Sequence, residues 1–197
     1  MRPSYRFLAA ILLAGTTCFP AMAQQLGFTI WKGDAIVGGI TALRKHAGEN
    51  AIYVVSSYSE IDIVMKQVVR STMGMEYRAG RPHSCFTSFH LNGTLRDSSN
   101  MRAYGNGLAC FIHPKERFSI TRTPAWSTSR MFFEEPVGQR SIFVESVLRE
   151  CVMRRLGEGQ YRLELPGNRS NTYRYVGGAL QEVEVDRPLM KLVFRRA

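Results

Sequence analysis

The 197-residue sequence predicts an all-β protein: an antiparallel meander forming a curved sheet, half-barrel or barrel, with at most one short helix. Three observations lead there. Apolar residues recur with a period of two over most of the chain, turn residues return roughly every ten positions, and helical spacing is confined to one stretch. A long antiparallel sheet with one apolar face must curl to cover that face and to limit its exposed edges.

Taken in order, Phe28 and Ile30 alternate with polar or small neighbours up to a Lys32-Gly33-Asp34 turn. Ile36 to Ile40 continues as the next strand and His46 to Asn50 reverses the chain. Ala51 to Tyr58 is rich in β-branched and aromatic residues, and beyond it Ile61, Ile63 and Met65 fall on one face. Ala79-Gly80-Arg81 turns into a strand from His83 to Leu91, and Asn92-Gly93 is a strong hairpin signal because both residues tolerate positive φ. Thr94 to Tyr104 returns, Gly105-Asn106-Gly107 reverses it, and Leu108 to His113 follows. Ser141 to Arg155 spaces Ile142, Val144, Val147, Leu148 and Cys151 as one helical face would. This predicts a short helix or turn, with Cys151 to Leu156 drifting back into strand. The C-terminal third alternates cleanly around turns at Pro166-Gly167-Asn168 and Gly177-Gly178. No internal repeat, linker or second domain is visible.

Residues 1–23 read as a cleavable signal peptide: Arg2 and Arg6 before an apolar run from Phe7 to Gly15, then Ala21-Met22-Ala23 as a small-x-small cleavage pattern. The run is too short to anchor in a bilayer, which takes about 20 apolar residues. The residues ahead of Cys18 lack the pattern expected of a lipid-modified cysteine. A single β domain, residues 24–197, is therefore expected in the periplasm or outside the cell, with no transmembrane segment.

The charge balance is basic, 26 Lys and Arg against 16 Asp and Glu, but the charges are scattered singly and no nucleic-acid recognition motif accompanies them. Export also argues against nucleic acid. The pattern describes a solvated basic surface, or attraction to an anionic envelope component. Cys85, Cys110 and Cys151 allow one internal bridge at most. Cys85–Cys110 is the pairing suggested, yet on successive antiparallel strands the two would sit two strands apart, about 9–10 Å and beyond disulfide reach. Buried free thiols fit at least as well.

Met131-Phe132-Phe133-Glu134-Glu135-Pro136, the run from Tyr161 to Gly178, Val183-Glu184-Val185, the early Trp31 to Gly38 segment and the Asn92-Gly93 hairpin together resemble exported bacterial β proteins of domain of unknown function 6134. The resemblance spans nearly the whole exported part. It rests on turns, a proline and alternating aromatics, so it implies a fold and carries no functional residue across.

No catalytic signature is present: no G-x-S-x-G elbow, no S-x-x-K, no phosphate loop. Glu134 and Glu135, on an extended chain, would face opposite ways, which favours a structural pairing with arginine over a catalytic pair. His83 shares a strand face with Cys85 while His90 has the opposite parity, and the short spacing of a metal motif is missing. No cofactor is expected. Trp126, Phe132 and Phe133, beside Glu134, follow a polar stretch from Thr121 to Ser129. They are expected in the core, or on a loop across the open end of a half-barrel where they would touch an apolar ligand. The expected role is a non-enzymatic binding protein sheltering an apolar or amphipathic molecule such as a lipid. The alternative is a structural or interaction protein that docks an envelope partner through a sheet edge or its basic surface. A hydrolase ranks third.

Overall fold

The computed structural model describes residues 22–62, 65–187 and 190–197. The signal-peptide stretch up to Ala21, including Cys18, and the Ile63 and Val64 positions lie outside the described residues. Fourteen strands are present: β1 (Met22–Lys32), β2 (Ala35–Ala47), β3 (Asn50–Asp62), β4 (Lys66–Arg78), β5 (Arg81–Leu91), β6 (Thr94–Tyr104), β7 (Gly107–Ile112), β8 (Glu116–Ile120), β9 (Ser141–Val144), β10 (Arg149–Gly157), β11 (Gln160–Leu165), β12 (Arg169–Val176), β13 (Ala179–Arg187) and β14 (Met190–Arg196). They form one antiparallel sheet in the order β8-β7-β6-β5-β4-β3-β2-β1-β14-β13-β12-β11-β10-β9. Two meanders thus meet in the middle, where β1 pairs with β14 through Phe28↔Arg196 and Ile30↔Phe194. Among the described residues β8 and β9, the two ends of the sheet, are not paired with each other.

The hairpins follow their turn chemistry. Asn92 and Gly93 hold φ of 52° and 80°, the left-handed pair a two-residue hairpin needs. Antiparallel alternation sends the start of β1 and the β2–β3, β4–β5, β6–β7, β10–β11 and β12–β13 turns to one end of the sheet. The connection between β8 and β9 leaves and re-enters at that same end, called the cleft end below. The β1–β2, β3–β4, β5–β6, β7–β8 and β11–β12 turns lie at the far end. At the cleft end neighbouring turns are tied together: Gly80 N donates to the Glu49 carbonyl (2.9 Å) and Ala79 N to Asn50 Oδ1 (3.0 Å). Expected cleavage after Ala23 falls at the start of β1, where Gln24 already pairs with Arg44.

The concave face is filled. One buried cluster joins Phe28, Ile30, Ile40 and Ala42 to Met131, Phe132 and the inward residues of β9 to β13; the other joins Tyr53, Met75, Tyr77, Cys85 and Met101 to Phe143 and Leu148. Phe133, half-buried, packs against both.

Two expectations are corrected and a third is decided between its alternatives. Of the short helix or turn expected over Ser141 to Arg155 the structure has the turn, and Cys151 to Leu156 lies in strand as expected: β9 and β10 make a tight hairpin whose turn holds Leu148 at φ 48° with no exposed surface. Its helix-like spacing arises because Ile142 and Cys151 are paired across the hairpin and Leu148 closes the turn inward, so all three reach one interior without a helical repeat. Among the described residues the one helical element is a 3-10 turn at Arg130–Phe132. Met65 does not share a buried face with Ile61, because the chain bends there and leaves it 66% exposed. The suggested Cys85–Cys110 bridge is not formed. The two cysteines flank Met101 in register, one strand apart on either side, and all three described cysteines are buried free thiols. Burial pushes the Cys85, Cys110 and Cys151 thiols up, away from the reactive thiolate form.

Gly38 marks the closest approach within the sheet. A Cβ there would lie 2.1 Å from the Tyr58 carbonyl and 2.6 Å from Ser59 Cα, both backbone atoms. Gly38→Ala therefore forces β2 away from β3. We expect a loss of about 1–3 kcal/mol of stability by urea denaturation, with Gly39→Ala, whose Cβ meets ordinary contacts, costing less.

Candidate ligand-binding cleft

The β8–β9 connection turns back into the concavity instead of running over the surface. Its anchor is Glu145, a carboxylate with no exposed surface in the β9–β10 turn. One oxygen accepts from Ser129 N (2.9 Å); the other accepts from Thr128 N (3.2 Å) and, closely, from the Thr128 hydroxyl. The Glu145 carbonyl in turn accepts from Ser99 Oγ of β6 (2.5 Å). Residues 126–128 also run beside β9: Phe143 N donates to the Trp126 carbonyl (2.8 Å) and Thr128 N to the Phe143 carbonyl (3.1 Å). The connection thereby covers the outer edge of β9.

Tyrosines from three strands hold the next stretch. Tyr175 donates to the Met131 carbonyl, Tyr161 to Glu135 and Tyr53 to Glu134, each at 2.7 Å. Burial and these carboxylates raise the Tyr53 and Tyr161 hydroxyls to about 12, so both remain neutral donors at any ordinary pH.

The turn from Arg130 to Glu134, closed by Glu134 N to the Arg130 carbonyl (3.1 Å), puts these two side chains on one side. Arg130 binds Glu134 Oε2 through Nε (2.9 Å) and Nη2 (2.7 Å), and its guanidinium lies 4.2 Å from the Trp126 ring centre. Glu134 Oε1 takes Tyr53 Oη and, at 3.5 Å, Arg44 Nη1. Arg44 also donates to Gln24 (2.8 Å) and stands over the Phe133 ring. Burial alone would raise the Glu134 pKa; the hydrogen bonds from Arg130 and Tyr53 and the charges of Arg130 and Arg44 outweigh it and hold the carboxyl below its usual range.

These groups form the inner wall of a cleft of about 850 Å³ bounded by Gln24, Arg44, Ala51, Tyr53, Tyr77, Arg130 and Glu134, with Met22, Ala23, His46, Gly48, Glu49 and Gly80 at its rim; cleavage after Ala23 would open it on the Met22 side. Tyr53 and Tyr77 meet edge to face, 5.8 Å between ring centres. The Tyr77 hydroxyl, the one buried side-chain polar atom without a hydrogen bond among the described residues, is kept protonated by burial, against a smaller pull from nearby Ser127.

Of the four candidates named from sequence, Glu134 lines the cleft. Phe132 packs edge to face on Phe28 (5.4 Å) deep in the core, while Phe133 and Trp126 stand behind the cleft wall and stack on its two arginines. Glu134 and Glu135 do diverge, one toward β3 and the other toward β11, and Glu134 is paired with arginine. A tight turn, not an extended chain, separates them. Arg44, Tyr53, Tyr77 and Arg130 were missed. For Arg44, Tyr53 and Tyr77 the only sequence signal was inward parity on β2, β3 and β4, which a core residue shares; Arg130, in the β8–β9 connection, carried none. His83 and His90 lie on β5 on either side of a bulge, and no three metal-ligating side chains cluster among the described residues.

This fold has a solved counterpart. The crystal structure of a β-barrel-like protein of domain of unknown function DUF1849 from Brucella abortus superimposes with a TM-score of 0.54, covering 91% of this chain and 96% of that one at 10% identity. At that identity the likeness concerns the fold alone, an all-β architecture found in a protein of unknown function. No family model and no curated sequence matches the chain.

Two outcomes test the wall. Glu145→Ala strips buried N–H groups of their acceptor and should cost about 2–5 kcal/mol by urea denaturation, with Glu145→Gln, which keeps one acceptor oxygen, costing less. Glu134 ionises more readily folded than unfolded, so its contribution is fully present above the unfolded value near 4.5 and disappears as pH falls through the lower folded value. Wild type should exceed Glu134→Gln in urea midpoint at neutral pH, and the two should converge as the medium is acidified below 4.5.

Proposed function

We propose that the protein is a non-enzymatic binding protein of the periplasm or extracellular space, and that its cleft holds an amphipathic molecule with an acidic headgroup. The observation that carries this reading is the convergence of Arg44 and Arg130 on one shared carboxylate at an aromatic wall. On the inner wall two guanidiniums face the single carboxylate of Glu134 in a half-buried setting, the other acidic residue of the lining, Glu49, standing out at the rim. A volume near 850 Å³ suits a small-molecule ligand. Tyr53, Tyr77 and Ala51 offer apolar surface, while the arginines offer donors to a carboxylate or phosphate. The concavity itself is filled by the β8–β9 connection, so the ligand is held at the cleft end and not along the barrel axis.

The same geometry speaks against acid–base catalysis at Glu134. Both oxygens are engaged, and its pKa is lowered where a general acid needs it raised. Kinship with domain of unknown function 6134 is proposed on the sequence pattern; the solved counterpart carries a different family designation. Export likewise rests on the N-terminal pattern. The β8 strand, whose outer side has no strand partner among the described residues, supports edge docking as a second reading.

Native mass spectrometry of protein purified without detergent, followed by solvent extraction, tests the proposal. A discrete adduct should vanish on denaturation and reappear in the extract as an anionic amphiphile. Arg44→Gln should weaken binding of a fatty-acid probe about tenfold or more. A clean polypeptide mass together with no binding of fatty acid or phosphatidylglycerol would sink the ligand reading and favour edge docking.

A further inference from the structure

We infer that cleavage after Ala23 completes the cleft: the α-ammonium it creates on Gln24 stands beside Arg44 and binds the ligand's acidic group together with it. The inference deepens the ligand reading above and rests on it and on the expected cleavage.

Position is the first observation. β1 begins at Met22 and runs antiparallel to β2, with Met22 opposite His46, Ala23 opposite Lys45 and Gln24 opposite Arg44. Met22, Ala23 and Gln24 all line the cleft, and Gln24 Oε1 accepts from Arg44 Nη2 at 2.8 Å. Among the described residues β2 alone accompanies this stretch. On the β14 side the bonding to β1 reaches only as far as Ala197 N donating to the Gly27 carbonyl (3.0 Å). A cut between Ala23 and Gln24 therefore falls inside the cleft wall. The new terminus stays there, because Leu26 and Phe28 pack the strand against the core. Met22 is 73% exposed, so its loss takes little from the packed interior.

Charge is the second observation. The peptide nitrogen of Gln24 is neutral, whereas a free α-amino group has a pKa of about 7.7–8.0 and is mostly protonated at pH 7. Glu134 does not use up that charge. Its Oε2 takes two bonds from Arg130, and its Oε1 takes Tyr53 and, at 3.5 Å, Arg44. Glu49, the other carboxylate of the lining, stands in the β2–β3 turn beyond the Met22–His46 pair. Lys45 and His46, opposite the residues removed, bring no negative charge. Arg44 and the ammonium thus offer two charged donors from adjacent strands to one carboxylate or phosphate, and charge-assisted hydrogen bonds are the strong ones. The uncut chain has neither the opening nor the second donor, so ligand loading follows export.

Titration calorimetry with the fatty-acid probe tests this on three preparations. One begins at Gln24 with its amine free. In the second, that amine has attacked the Gln24 side-chain carbonyl carbon and displaced ammonia; the lactam has lost the charge but keeps a carbonyl for Arg44. The third stays joined through Met22 and Ala23 to a leader. The lactam form should bind about fivefold more weakly than the free amine, at an unchanged urea midpoint, and the joined form on the order of tenfold more weakly. A fatty alcohol of equal length should bind the first two alike. Equal fatty-acid affinity of the amine and lactam forms would overturn the inference and leave the ligand reading standing. So would a fivefold difference that persists with the alcohol, or an exported chain whose intact mass shows a start other than Gln24. No binding by any of the three preparations would remove both readings.

Discussion

The antiparallel sheet, fourteen strands among the described residues with its two end strands unpaired, has two problems to solve, an apolar concave face and a gap between its ends. Both are solved here by the β8–β9 connection folding inward, and the buried carboxylate of Glu145 is what keeps it there. A carboxylate without exposed surface is costly unless its lone pairs are satisfied. Glu145 takes the backbone donors of Thr128 and Ser129 and the Thr128 hydroxyl, groups that would themselves be orphaned on entering an apolar interior. Each side removes the other's desolvation penalty, so the connection and the β9–β10 turn are stable inside only together.

From that anchor the rest of the interior follows. Ser127, Thr128 and Ser129 are polar yet buried because their partners are internal. Met131 and Phe132 then fall against β1 and the C-terminal meander, and Phe133 joins the two clusters. Tyr53, Tyr161 and Tyr175 reach in from the two meanders to hold the segment by its carboxylates and a carbonyl. The cleft is what remains uncovered where this segment meets β1 to β4, and its charges are those of the segment's Arg130–Glu134 turn and of Arg44. The cleft and the closure of the fold are therefore built from the same residues.

The two ends of the sheet differ in kind. The cleft end holds the connection that fills the concavity, while the far end is made of hairpin turns, and both ends mix their signs of charge and expose single apolar side chains such as Tyr104 and Met65. Three aromatics of the exterior carry an arginine over the ring, Tyr58 by Arg70, Phe111 by Arg117 and Trp31 by Arg195, while Phe86 and Phe89 stay exposed. At those three positions the guanidinium shields part of the apolar ring from water.

Period-two patterning and turn chemistry are local properties, and they were legible: strand after strand, from Thr94–Tyr104 to the C-terminal meander, stands where alternation and Asn-Gly or Gly-Gly turns place it. The separation of Cys85 from Cys110 by a whole strand also followed from counting strands. What the sequence could not decide was the fate of residues 121–148, because their arrangement depends on groups distant in the chain. Ile142, Leu148 and Cys151 fit a helix and a hairpin equally well, and only pairing of β9 with β10 chose between them. Trp126, Phe132 and Phe133 read alike as core or ligand contacts, and only the inward course of the connection made Phe132 core and set the others behind the arginines. Arg44 and Tyr53 come to Glu134 from about ninety and eighty positions away. A charge is paid for by its neighbours in space, and for this cleft those neighbours exist only once the sheet has curled around the segment that fills it.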